Sequence, residues 1–94
     1  VCMPAVLDMN ASEISQRFDQ VAGYIGIKNG FKGFCAFVRE LNASLKIPMK
    51  LSGLGVANVD VEKLTHAALK DPSCGGNPVK LNSENLTKLI KDLL

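Results

Sequence analysis

The groups able to do chemistry in this 94-residue chain are few and scattered. His66 is the single histidine, and no second His or Cys lies three or four residues away. A metal role would therefore need ligands from elsewhere in the fold, and a surface or helix-packing histidine is the simpler reading. Carboxylates stand near one another in Asp8 with Glu13 and in Asp60 with Glu62. Nothing around them marks a shared buried environment that would split their pKa values for acid–base work; helix-start charges and solvated faces account for them. Cys2, Cys35 and Cys74 are odd in number and form neither a CxxC nor a Cys/His cluster, so reduced thiols are expected rather than a disulfide framework or a structural zinc. No catalytic, cofactor-binding or metal-ligating residue follows from these patterns.

One segment has the composition of a shaped site. Asp71-Pro72-Ser73-Cys74-Gly75-Gly76-Asn77-Pro78 interrupts two helical patterns. Asp71 is a local turn former, Pro72 stops the preceding helix, Gly75 and Gly76 permit positive φ, and Asn77-Pro78 favours an extended exit. A phosphate cradle is a poor reading, because the glycines follow no strand and no Lys-Ser/Thr comes after them.

The elements that must hold this loop read as amphipathic helices. Pro4 suits the first turn of a helix over residues 2–9. Ile14, Phe18, Val21, Ala22 and Ile25 share one face of a 3.6-residue period, with Ser12 as N-cap and Gly26 as the stop. A third helix carries Phe34, Cys35, Val38, Leu41, Asn42 and Leu45 on one side and ends before Pro48, since the residue before proline avoids the α region. Residues 46–57 form a structured loop in which Leu51 and Leu54 are core anchors and Gly53 and Gly55 give backbone freedom. Asn58 or Asp60 caps a fourth helix with Val61, Leu64, Ala68 and Leu69 as its apolar side. The fifth starts at Asn82 or Ser83, with Leu81 and Leu86 as a hydrophobic staple and Leu86, Leu89, Ile90 and Leu93 buried. The expectation is an all-α bundle of about five helices, with residues 1–94 as one helical unit.

The same residues carry a resemblance. Met3-Pro4-Ala5-Val6-Leu7-Asp8-Met9-Asn10 is similar to a Leu-Pro-x-Val-x-x-x-Asn segment, and it is followed by Leu45-Lys46-Ile47-Pro48, Leu51-Ser52-Gly53-Leu54-Gly55-Val56 and the Asp-x-x-x-x-Gly-Asn-Pro loop at residues 71–78. This order resembles the C-terminal part of the helical, metal-side domain of iron-containing alcohol dehydrogenases. The resemblance implies that the chain is the C-terminal segment of a parent enzyme that exchanges hydride between primary alcohols or aldehydes and NAD or NADP, with Fe²⁺ as the Lewis acid that polarises the substrate oxygen. In that family one Asp and three His hold the metal upstream of the Leu-Pro segment, and a Gly-rich loop on a separate N-terminal domain holds the nucleotide; neither set is present here. By the same resemblance the 71–78 loop closes one side of the substrate pocket, with Ser73 facing it and Cys74 and Gly75 beside it. A purely structural turn is the competing reading of that loop. The chain alone is then expected to be inactive and to bind neither iron nor nucleotide, with the rest of the parent dehydrogenase as its partner.

Composition bounds the remaining classes. Eleven basic residues against nine acidic give a net charge of +2, too small to argue for nucleic acid, and the five aromatics are not interleaved with basic residues as a base-stacking platform requires. No run of about 18 apolar residues is available to span a bilayer, and the start lacks the charged and apolar regions of a signal peptide, so a soluble, cytoplasmic protein is expected. A chain of this length buries only about 60% of its extended surface, and apolar surface left over would drive self-association. A freestanding helical module that grips a partner helix in a groove is the alternative from a different class.

Overall fold

In the computed structural model, which describes residues 1–94, the chain is all-α: α1 (Met3–Tyr24), α2 (Gly30–Ser44), α3 (Val61–Leu69) and α4 (Ser83–Leu93), with 3-10 turns at Leu51–Leu54 and Pro72–Gly76. The expected count of about five helices becomes four, because the segments at residues 2–9 and 12–25 are one uninterrupted helix. Pro4 lies in its first turn, as expected, but Ser12 sits exposed inside the helix and caps nothing. No proline or glycine follows Pro4 until Gly23, so no residue in between has a strong reason to leave the helix.

The helix ends are set by specific hydrogen bonds. After α1, Gly26 takes φ 76°, Ile27 N–H donates to Ala22 C=O, and Gly26 N–H donates to Gly23 C=O. This is a Schellman closure with glycine in the left-handed position. The start of α2 is capped from a distance: Asp19 on α1 accepts the Phe31 N–H at 2.7 Å. Gly30, at φ 56°, must lack a side chain there, since a Cβ would lie 2.2 Å from that Asp19 oxygen. Asp60 caps α3 through Lys63 N–H. Asn82 and Asn85 exchange side-chain and backbone bonds at the start of α4, a capping box with asparagine at both ends.

Helix α1 packs chiefly on α2 and also touches α4, while α3 packs on α4. Leu7 and Ile14 of α1 meet Cys35 and Val38 of α2 in the main core, flanked by Phe18, Phe31 and Phe34. Phe18 sits edge-on to both other rings, an arrangement favoured by the ring quadrupoles. Leu86, Ile90 and Leu93 are buried along α4. Several residues expected inward are not: Val21, Ile25, Leu41, Leu45, Leu54, Leu64 and Leu69 are exposed. Their faces are apolar by period, but no element of this chain covers them. The molecule is accordingly a thin slab of 41 × 30 × 18 Å, with a radius of gyration of 14.6 Å against about 12 Å for a self-contained domain of this length.

Candidate functional site

The loop between α3 and α4 is built from its first residue. The Asp71 carboxylate accepts the Ser73 N–H at 2.8 Å, Pro72 takes the first position of the turn, and Cys74 N–H returns to Asp71 C=O. Hydrogen bonds from Ser73, side chain first and backbone second, hold the Asp71 carboxyl below the usual carboxylate range. The Cys74 thiol donates to the Ala68 carbonyl at the end of α3, which makes it a tether of the turn. Gly75 and Gly76 do not adopt the positive φ expected of them; the turn winds as a right-handed 3-10 helix, which needs no left-handed residue. A Cβ on either glycine would meet no atom of this chain within 4 Å.

The far end of the loop is fixed by Asn77, and the partner is α1. Asn77 Nδ2 donates to Asn10 Oδ1 at 2.8 Å, and Asn10 Nδ2 donates to Asn77 Oδ1 at 2.9 Å. Val79 N–H also donates to Asn10 Oδ1, and Val79 C=O accepts from Asn77 Nδ2. Asn10 is 4% exposed, so these bonds replace the water its amide gives up on burial. Sequence reasoning missed this pairing. A contact across 67 residues leaves no periodic trace, and the one signal was the presence of Asn10 at the end of the Leu-Pro-like segment.

Cys74 and Gly75, two of the three residues expected at a pocket, line an open cavity of about 410 Å³ together with Leu69, Asn77, Pro78 and Leu81. Ser73 is exposed and is not part of that lining. A larger groove of about 930 Å³ runs between α3 and α4, lined mainly by polar side chains such as Glu62, Lys63, Thr65, Thr87 and Lys91. Thr65, 3% exposed, shares a hydroxyl hydrogen bond with Thr87 across that seam. His66 is exposed on the same groove, and no three His, Cys, Asp or Glu side chains of the chain converge as a metal site. Asp8 pairs with Arg39 at the surface, and Glu13 is exposed. Cys35, in the main core, has its thiol pushed up by burial and then by the Asp8 charge, with Arg39 opposing.

A helical slab whose α3–α4 turn is bonded back onto its first helix matches, over residues 1–94, the family described as Fe-containing alcohol dehydrogenase family, C-terminal. The chain belongs to that family. Lactaldehyde reductase of Escherichia coli strain K12 is 28% identical over 96 residues, covering 95% of this chain and 25% of the relative. The lactaldehyde reductase of Escherichia coli O157:H7 matches to the same extent. The chain thus spans a quarter of the length of these curated relatives. No solved structure matches it significantly. No helix is long and apolar enough to cross a membrane.

Proposed function

We propose that the chain is the C-terminal helical segment of an NAD(P)-dependent, iron-containing alcohol dehydrogenase that interconverts small primary alcohols and aldehydes. The segment supplies packing surface and one wall of the substrate pocket. The family match along all 94 residues carries this reading, and the lactaldehyde reductases among the relatives favour a small aldehyde as substrate. The residues present do not fit an iron site, since one exposed histidine and unclustered carboxylates lack the three or four converging ligands such ions take. What this chain offers is geometry: a turn held at both ends, whose two glycines need no backbone freedom and face empty space. That space is where a small substrate or the rest of the parent would approach.

The test is aldehyde reduction by the intact protein with NADH or NADPH, compared with the 94-residue chain alone. Turnover by the intact protein and none by the chain is expected. Failure of the intact protein to oxidise or reduce any small alcohol or aldehyde would overturn the assignment. It would return the chain to the reading of an interaction module, which the exposed apolar residues of α2 would then serve.

A further inference from the structure

We propose that Asn10 is the positioning residue of the 71–78 loop, setting that wall from α1 through a reciprocal amide pair with Asn77; this rests on the reading of the loop as part of the substrate pocket. Asn10 stands on the face of α1 that also buries Pro4, Leu7 and Ile14, where an apolar side chain would be the default and an unpaired amide would be costly. Its polar atoms are instead all used, Nδ2 on Asn77 and Oδ1 on both Asn77 and the Val79 N–H. Backbone groups determine which way both amides point. Val79 N–H requires an oxygen on Asn10, and Val79 C=O requires a nitrogen on Asn77. The loop then has two tethers of different kinds: Cys74 holds its start to the helix it continues, and Asn77 holds its end to a helix 67 residues away. Only the second relates the turn to the main core, and the cavity wall formed by Cys74, Gly75, Asn77 and Pro78 moves with it.

The chemistry of the pair suggests a substitution that makes the lock titrate. In Asn10→Asp, the protonated carboxyl donates to Asn77 Oδ1 while its carbonyl oxygen accepts from Asn77 Nδ2 and Val79 N–H, which reproduces every bond. Once ionised, it has no proton to donate and sets a charged oxygen against Asn77 Oδ1. Burial and the lost bond both disfavour the ionised form, so the folded-state value of the introduced carboxyl lies above the ordinary ~3.9. The lock is fully present below that ordinary value and is lost as pH rises through the raised one. The other ionisable groups on the surrounding elements do not enter the pair. Asp8 is held by Arg39, Lys88 by Asp92, Lys80 is exposed, and Cys35 is kept a neutral thiol by burial.

The experiment uses the intact protein, with propanal and NADH or NADPH as the probe. In Asn10→Asp, the hydrogen-exchange protection factors of Asn77 and Val79 should fall on the order of tenfold or more as pH rises through the window, while those of the unsubstituted protein stay flat. KM should rise with the same midpoint and kcat should change little. Should Asn10→Asp not fold, Asn77→Ala carries the test: protection at Val79 low at every pH, with KM raised and kcat kept. Unchanged protection at Val79 would show that the pair does not order the loop, and the proposal fails while the pocket reading stands. Lowered protection with an unaltered KM would show that the loop is ordered by the pair but is no pocket wall; the positioning role and the pocket reading then fall together, with the dehydrogenase assignment untouched.

Discussion

Lys46 holds a left-handed backbone, φ 57°, at the position after the C-cap of α2. Lys46 N–H bonds to Ala43 C=O and Ile47 N–H to Asn42 C=O, the same closure that Gly26 makes after α1. A residue with a Cβ costs roughly 1–2 kcal/mol in this conformation, and glycine does not. Lys46→Gly is therefore expected to stabilise the chain by about 1 kcal/mol, after allowance for the extra entropy glycine gives the unfolded state. A denaturant midpoint that stays put or falls would contradict it. Asp71 gives a prediction in pH. Its carboxyl is held low by Ser73, so its contribution to the turn is present above the unfolded value, about 3.9, and is lost as pH falls through the lower folded value. The Ser73 amide resonance should titrate with a midpoint under the ordinary one. A midpoint at or above it would mean the Asp71–Ser73 bond is not formed in solution.

At the scale of elements, the helix ends were legible in sequence wherever a cap is local. Asp60 before α3, Asn82 before α4 and Gly26 after α1 each satisfy backbone groups within a few residues. Ser12 is the exception, since serine caps helices but is also tolerated inside them once packing on either side favours continuation. Gly75 and Gly76 are a second exception, because glycine permits positive φ but a right-handed turn does not use it. Long-range ties such as Asn10 to Asn77 and Asp19 to Phe31 left no signal in the spacing of residues. The glycines supply the element-scale prediction. Since Gly75 has ordinary φ and nothing within 4 Å of its Cβ direction, Gly75→Ala should leave the stability of this chain unchanged or raise it by about 0.4–1 kcal/mol. If the turn lines the pocket, the added methyl group should still lower kcat/KM for bulky alcohols more than for small ones, by a discrimination of ~1–3 kcal/mol. Ser73→Leu is the companion: Ser73 is exposed and lies outside the lining of the neighbouring cavity, so an altered substrate profile would place the reacting molecule against Ser73 and outside that cavity. Two unaltered profiles would reduce the loop to a connection.

The whole molecule is defined by how little of it is enclosed. Only 11 of 94 residues are buried, and the radius of gyration exceeds that of a self-contained domain of this length. Phe37 and Leu41 on α2 and Leu45 at its C-cap, spaced four residues apart, are 43%, 43% and 62% exposed, and Val21 and Ile25 are exposed at the end of α1. Four-residue spacing places these three side chains in one stripe, and exposed apolar stripes of this kind mark contact with another polypeptide. In the proposed dehydrogenase that polypeptide is the remainder of the helical domain. The isolated chain should therefore bind a hydrophobic dye and self-associate, and Leu41→Lys with Leu45→Lys should suppress both while leaving helix content intact. The same pair placed in the intact protein should be destabilising, by about 2 kcal/mol or more, because two charges would be forced into a packed interface without partners. Sedimentation of the isolated chain as a strict monomer at high concentration, together with an intact protein indifferent to the two lysines, would show that the stripe faces water in both settings and that no further helices are seated on α2.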